Sequence, residues 1–157
     1  MEYLLLAMAF AAGAAISIQA GVNSQLAAGL GGESAAAALV SFFIGTMILA
    51  LVAAGRGTLG ATIAGVPAQP LWKLSGGFLG AFFIFSAAYL APRLGVTNML
   101  VLIIAGQLCA SMAVDQFGLM NMLQRPVSAI KLGGAAVMLA GVSIMLFGDK
   151  WFAALRS

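Results

Sequence analysis

Gln107, Ser111 and Asp115 recur at intervals of four residues in the stretch "AGQLCASMAVDQFG", residues 105–118. On a helix that spacing sets an amide, a hydroxyl and a carboxylate along one face. Such a stripe can donate and accept hydrogen bonds along a path, and its carboxylate can exchange a proton or attract a cation. Gln19 and Asn23 form a second polar pair with the same spacing. These groups bind; they do not break bonds. The chain holds no histidine and a single cysteine, Cys109, so no zinc site and no disulfide framework can be assembled within it. Its serines lack a histidine base, and no lysine interrupts an apolar run to replace one. No phosphate-binding loop or dinucleotide fingerprint is present. The expectation is a protein that is not an enzyme and uses no metal and no cofactor. Its seven basic residues form no run, which argues against a nucleic-acid partner and against a polybasic lipid patch.

The elements that must carry these side chains follow from composition. Of 157 residues, 63% are hydrophobic and 7% charged, against about a quarter charged in soluble domains. That leaves too little charge to coat a water-facing surface, so the chain reads as an all-α integral membrane protein. Nothing basic precedes the first apolar run after Met1-Glu2-Tyr3, so that run is not expected to be a cleaved signal peptide. A helical span needs about 20 apolar residues. Five segments qualify, at about 3–22, 34–54, 74–91, 96–117 and 131–148, and together they predict a single five-helix transmembrane domain over residues 1–157. The runs are continuous and lack the alternation of a barrel strand. Short connections join them: "NSQLAAGLGGE", an interfacial loop with Pro67, Pro70 and Trp72, the tight turn Pro92-Arg93-Leu94-Gly95, and "GLMNMLQRPVSAI".

Charge gives only a faint orientation signal. Arg56, Lys73, Arg125 and Lys131 lie on the side of the N-terminus, four in all, and Arg93, Lys150 and Arg156 lie opposite, three in all. The positive-inside rule needs an excess. An odd number of spans with almost no bias predicts dual topology and an antiparallel homodimer. The competing reading is one fixed orientation with a cytoplasmic N-terminus.

Small residues at helical spacing predict packing seams. Gly13, Ser17 and Gly21 mark the first span, Ala37, Ser41 and Gly45 the second, and Gly76 and Gly80 the third. Gln19 and Asn23 lie across the first helix from its small stripe, so one face is expected to pack and the other to meet a cavity or a partner; capping of the helix end is the plainer alternative. Gln107 falls at mid-span, where an amide costs free energy unless it finds a partner. Gln107 and Ser111 suit either a polar path or bonding between helices, and Asp115 suits either a gate or an edge carboxylate that reaches water. Asn98 is half a turn out of register with the stripe and reads, with Thr97, as the start of the fourth span. The four acids, Glu2, Glu33, Asp115 and Asp149, all avoid mid-span. That favours a neutral or zwitterionic solute over a lipophilic cation, with Phe42, Phe43 and Tyr89 available as aromatic walls.

The stretches "SIQAGVNSQLA" (17–27), "ALVSFFIGT" (38–46), "PLWKLSGGFLGAFFIFSAAYLAPRLG" (70–95) and "LIIAGQLCASMAVDQFG" (102–118) resemble the YdcZ-like family of small five-span proteins in the drug/metabolite transporter superfamily. The resemblance extends through "LGGAAVMLAGV" of the last span and covers nearly the whole chain. Larger members of that superfamily look like two inverted five-helix halves, so the resemblance implies that a five-span chain pairs antiparallel to rebuild a ten-helix architecture in the bacterial inner membrane. It also implies that the first four spans line a central cavity, which would turn Gln19, Asn23, Gln107, Ser111 and Asp115 inward as substrate-binding residues. Gln116 stands where a histidine is expected in many relatives, which weakens any Asp–His proton relay.

The expected activity is secondary transport of a small polar or amphipathic solute by alternating access. The partners would be that solute, membrane lipid and a second copy of the chain or a related subunit. A passive channel is the first competitor, although no continuous polar file crosses the spans. A membrane partner without transport, using the small-residue seams, is the second.

Overall fold

The computed structural model describes residues 1–154 and 156, and every regular element among them is helical. The helices are α1 (Glu2–Gly29), α2 (Ser34–Gly55), α3 (Leu59–Gly65), α4 (Leu71–Leu94), α5 (Val96–Phe117) and α6 (Ala129–Ala154). All but α3 are long and apolar enough to cross a membrane. The five expected spans are all present, and the fourth matches α5 residue for residue.

Two segments read as connections are helical instead. α1 continues beyond residue 22 to Gly29 through "NSQLAAG". Polar residues suggested a loop there, but Leu26, Ala27 and Ala28 are strong helix formers, and Asn23 turns inward. In the long connection after α2, residues 59–65 form α3, which runs into a turn of 3₁₀ helix over Val66–Ala68. Gly95 closes α4 with φ +79°, its N–H bonded to the Ala91 carbonyl, and α5 starts at the next residue. That left-handed conformation is one only glycine adopts readily.

Contacts divide the chain into two units, Met1–Val96 and Thr97–Ser157. In the first, α1 packs on α2 and α4, and α2 packs on α4. The seam is built largely of alanine: Ala20 and Ala27 from α1, Ala37 and Ala38 from α2, and Ala87, Ala88 and Ala91 from α4 are buried, with Ile84 beside them. Small side chains let helix backbones approach closely, so dispersion contacts and not bulky interdigitation hold this seam. The buried residues occupy the second half of α1, the first half of α2 and the second half of α4. Residues 2–15 and 71–79 are exposed throughout. The unit is therefore closed at one end and open at the other.

On α1 this seam is not the expected glycine stripe, whereas on α2 the expected stripe does enter it through Ala37 and Ser41. A Cβ built on Gly13, Gly21, Gly45 or Gly76 would meet nothing within 4 Å; at Gly80 it would come 3.1 Å from the Phe42 ring. On α1 the buried face is Ala20, Asn23 and Ala27. Alanine approaches nearly as closely as glycine, and this face also offers the Asn23 amide a partner.

In the second unit no Cα pair between α5 and α6 lies within 8 Å among the described residues. Met99 is the one described residue of these two helices that is buried. Leu108, Met112 and Met138 side chains line the intervening groove.

Candidate functional site

In the first unit, the closed end gives way to the open end at a cleft of about 370 Å³ lined by Gln19, Ser41, Phe42, Gly45, Thr46, Leu49 and Ile84. Three of these side chains are polar, and they come from two helices. Behind them stands Asn23, one turn on from Gln19 and only 2% exposed. The Ser41 hydroxyl donates to Asn23 Oδ1. The Asn23 Nδ2 donor has no partner among the described residues. A buried donor left unmade costs about 1–3 kcal/mol, and turning the amide over would leave its oxygen stranded instead. Asn23 is thus no helix-end cap: α1 runs past it, and it forms the polar heart of a three-helix contact.

Sequence reasoning placed Gln19 and Asn23 together correctly on one helix but assigned Ser41 to a packing seam and passed over Thr46. The periodicity of α2 does carry the signal. Ser41 and Gly45 are one turn apart, with Thr46 adjacent, so the cleft-facing side of α2 is small or polar over that turn.

In the second unit, Ser111 and Asp115 line a separate cleft of about 330 Å³ with Lys131 of α6. Gln107 sits at the midpoint of α5, as expected, but is exposed and lines neither cleft. Its side-chain amide makes no hydrogen bond among the described residues. Ser111 bonds back to the Leu108 carbonyl at 3.0 Å. Asp115 is half-buried.

The chain between α5 and α6 is pinned in place. Gly118 (φ +56°), Met120 and Asn121 are all left-handed. A Cβ on Gly118 would come 3.2 Å from the Met122 carbonyl oxygen, a tight approach that together with the left-handed φ favours glycine. The Arg125 N–H donates to the Asp115 carbonyl at 2.8 Å. Gln116 works at both ends: its Oε1 accepts from the Val127 N–H at 2.8 Å, and its carbonyl accepts from Gln124 Nε2 at 2.9 Å. Gln116 thereby has a structural task where a proton relay would have needed a histidine. These bonds fold the connection back along the end of α5, so that Lys131 lines the same cleft as Asp115. Lys131 entered the sequence reading only as a topology charge.

Residues 4–144 match the family model described as "Putative inner membrane exporter, YdcZ". The chain belongs to this family. It is a multi-pass inner-membrane protein, and its family is described as one of inner-membrane exporters and not as one of enzymes. No curated protein and no solved structure matches the chain. Among the described residues no group of three or more His, Cys, Asp or Glu side chains is arranged to hold a metal ion.

Proposed function

We propose that this exporter is a secondary transporter of the drug/metabolite superfamily type, working as an antiparallel homodimer that moves a small polar or amphipathic solute by alternating access. The observation that carries the reading is the half-closed polar cleft of the first unit, with the unsatisfied Asn23 Nδ2 donor behind Ser41. A buried donor left unsatisfied calls for an explanation, and polar groups inside membrane helices face the bundle interior or a solute path. The cleft also has a direction. The unit is closed where α1 meets α2 and open at the other end, so two copies inserted in opposite senses would present one opening to each face of the membrane. Gln19, Ser41 and Thr46 would hold the solute in the first unit, with Asn23 behind them, and Gln107, Ser111 and Asp115 would offer it a second polar stripe along α5.

Gln107 bears on the competing idea of a partner protein without transport. A purely structural glutamine would be satisfied by its neighbours, and the side chain of this one has no hydrogen bond among the described residues. The test is solute flux in proteoliposomes across a panel of polar and amphipathic compounds. Gln19→Ala and Gln107→Ala are each expected to lower flux at least tenfold while leaving thermal unfolding nearly unchanged, since both side chains are exposed and unbonded. Normal flux in both variants would remove the assignment. Location reporters fused to each terminus should find every terminus on both sides of the membrane; a single orientation would rule out the antiparallel dimer.

A further inference from the structure

We propose that the cleft between α5 and α6 binds a zwitterionic solute with an apolar side chain, its ammonium group meeting Asp115 and its carboxylate meeting Lys131. The two residues line one cleft of about 330 Å³. Both make hydrogen bonds through their main chains alone: the Asp115 carbonyl accepts from Arg125, and the Lys131 N–H donates to Ser128 Oγ at 3.2 Å. Neither the carboxylate nor the ammonium group has an ion pair or hydrogen bond among the described residues. Opposite charges sharing a cleft without touching leave room for a ligand between them.

The sign pattern selects the ligand. A simple cation drawn to Asp115 is repelled by Lys131, and a simple anion meets the reverse. A solute with both charges satisfies both at once and brings no net charge into a region of low dielectric, where an unpaired ion is costly. Ser111 adds a hydroxyl whose proton is already given to the Leu108 carbonyl, so its lone pairs are free to accept from an ammonium group. The remaining walls include Leu108, Met112 and Met138. Methionine thioethers adapt to apolar groups of varied shape. The site is pre-organised, because the connection that brings Lys131 to Asp115 is fixed by Gln116 at both its main chain and its side chain.

This inference rests on the reading that the protein handles a small solute, and it names the class. The chemistry is shared by a free amino acid and by a zwitterionic lipid headgroup, and the test separates them. Binding to the purified full-length protein in detergent micelles would be measured for L-leucine and L-methionine. The comparison ligands are leucinamide, with the ammonium group alone, and 4-methylpentanoate, with the carboxylate alone. A second arm uses short-chain phosphatidylethanolamine against phosphatidylglycerol.

The expected result is zwitterion binding at least tenfold tighter than either single-charge analogue. Asp115→Asn should weaken it about tenfold to a hundredfold and bring it level with 4-methylpentanoate. Lys131→Gln should do the mirror image and bring it level with leucinamide. A merely structural role would not exchange the selectivity in this way. Phosphatidylethanolamine binding with the same variant pattern, and no amino-acid binding, would uphold the zwitterion site and make its ligand the lipid headgroup. Parent-like affinity in both variants would overturn the inference. So would destabilisation by each single change that the double variant Asp115→Asn/Lys131→Gln repairs with binding intact, because the two side chains would then be a direct latch. Flux of some other solute without zwitterion binding removes this inference and spares the transport reading. Zwitterion binding without flux does the opposite.

Discussion

In the first unit, alanines on three helices bring the backbones together, and the polar groups that lie between them are sealed: Asn23 is 2% exposed and bonded to Ser41. In the second unit, leucine and methionine side chains line the space between two helices that stay farther apart, and the polar groups lie open along α5 or in the groove. Both units thread polar side chains through apolar helices, yet only the first turns them into internal structure. Side-chain size at the contact decides which. Where it permits close approach, a polar residue is trapped and must find a partner; where it does not, the residue stays free for a solute or another chain. Substitutions of one kind should therefore act very differently in the two units.

The largest contrast is expected from added bulk. Ala37 is fully buried at the centre of the alanine seam. Ala37→Leu has no room and should destabilise the protein by about 3 kcal/mol, at the upper end of overpacking costs. Ala136 on α6 is exposed, and Ala136→Leu should stay within about 0.5 kcal/mol of the parent. Chemical denaturation in mixed micelles reads both. Equal effects would show that the two units are packed alike and would erase the comparison.

The sealed polar pair gives the next effect. Ser41→Ala strips Asn23 of its one side-chain bond and leaves the whole amide unsatisfied, for a cost of about 1–2 kcal/mol. Asn23→Leu removes the stranded donor while keeping roughly the same shape, and the freed Ser41 hydroxyl can bond back along its own helix. The double variant should then be more stable than Ser41→Ala alone. If Asn23 is kept for solute handling, Asn23→Leu should also be as stable as the parent or more so, and yet fail in flux. Additive losses in the double variant would mean that the amide has a stabilising partner and is no liability.

How far these differences were legible depends on what periodicity can encode. Five apolar runs define five helices almost regardless of neighbours, because a backbone in lipid must bond to itself. The i, i+4 spacing also assigns residues to faces of one helix, which is why Gln19 with Asn23, and Ser111 with Asp115, were found as pairs. It does not say which helix lies opposite. Ser41 was read as part of a small-residue seam because serine serves both purposes, and only the docking of α2 on α1 reveals its bond to Asn23. The glycine stripe Gly13-Ser17-Gly21 and the alanine face Ala20-Asn23-Ala27 are equally small on paper; the amide partner available on the second face is a tertiary fact. That Lys131 shares a cleft with Asp115 was invisible for a similar reason. Its position depends on a left-handed turn at Gly118, Met120 and Asn121 and on the Gln116 bonds, and residues other than glycine give little warning that they will adopt that conformation.

The smallest expected effect tests what lies outside this chain. Gly141 of α6 borders an apolar groove with Val101, Ile104 and Met138, and a Cβ there would meet no atom within 4 Å. Within one copy, Gly141→Ala should therefore stabilise α6 by about 0.5–1 kcal/mol, the ordinary difference in helix propensity, with no steric charge against it. A second copy changes the sign if it seats a helix in this groove, because close helix pairs depend on the missing Cβ. Denaturation read together with oligomeric state, by crosslinking or by size in detergent, separates the two. Stabilisation with unchanged assembly would show that the groove faces lipid and would move the search for the dimer contact to the Gln107 face. Destabilisation accompanied by loss of the dimer would put the partner on the loosely packed unit, where the exposed polar stripe already calls for cover.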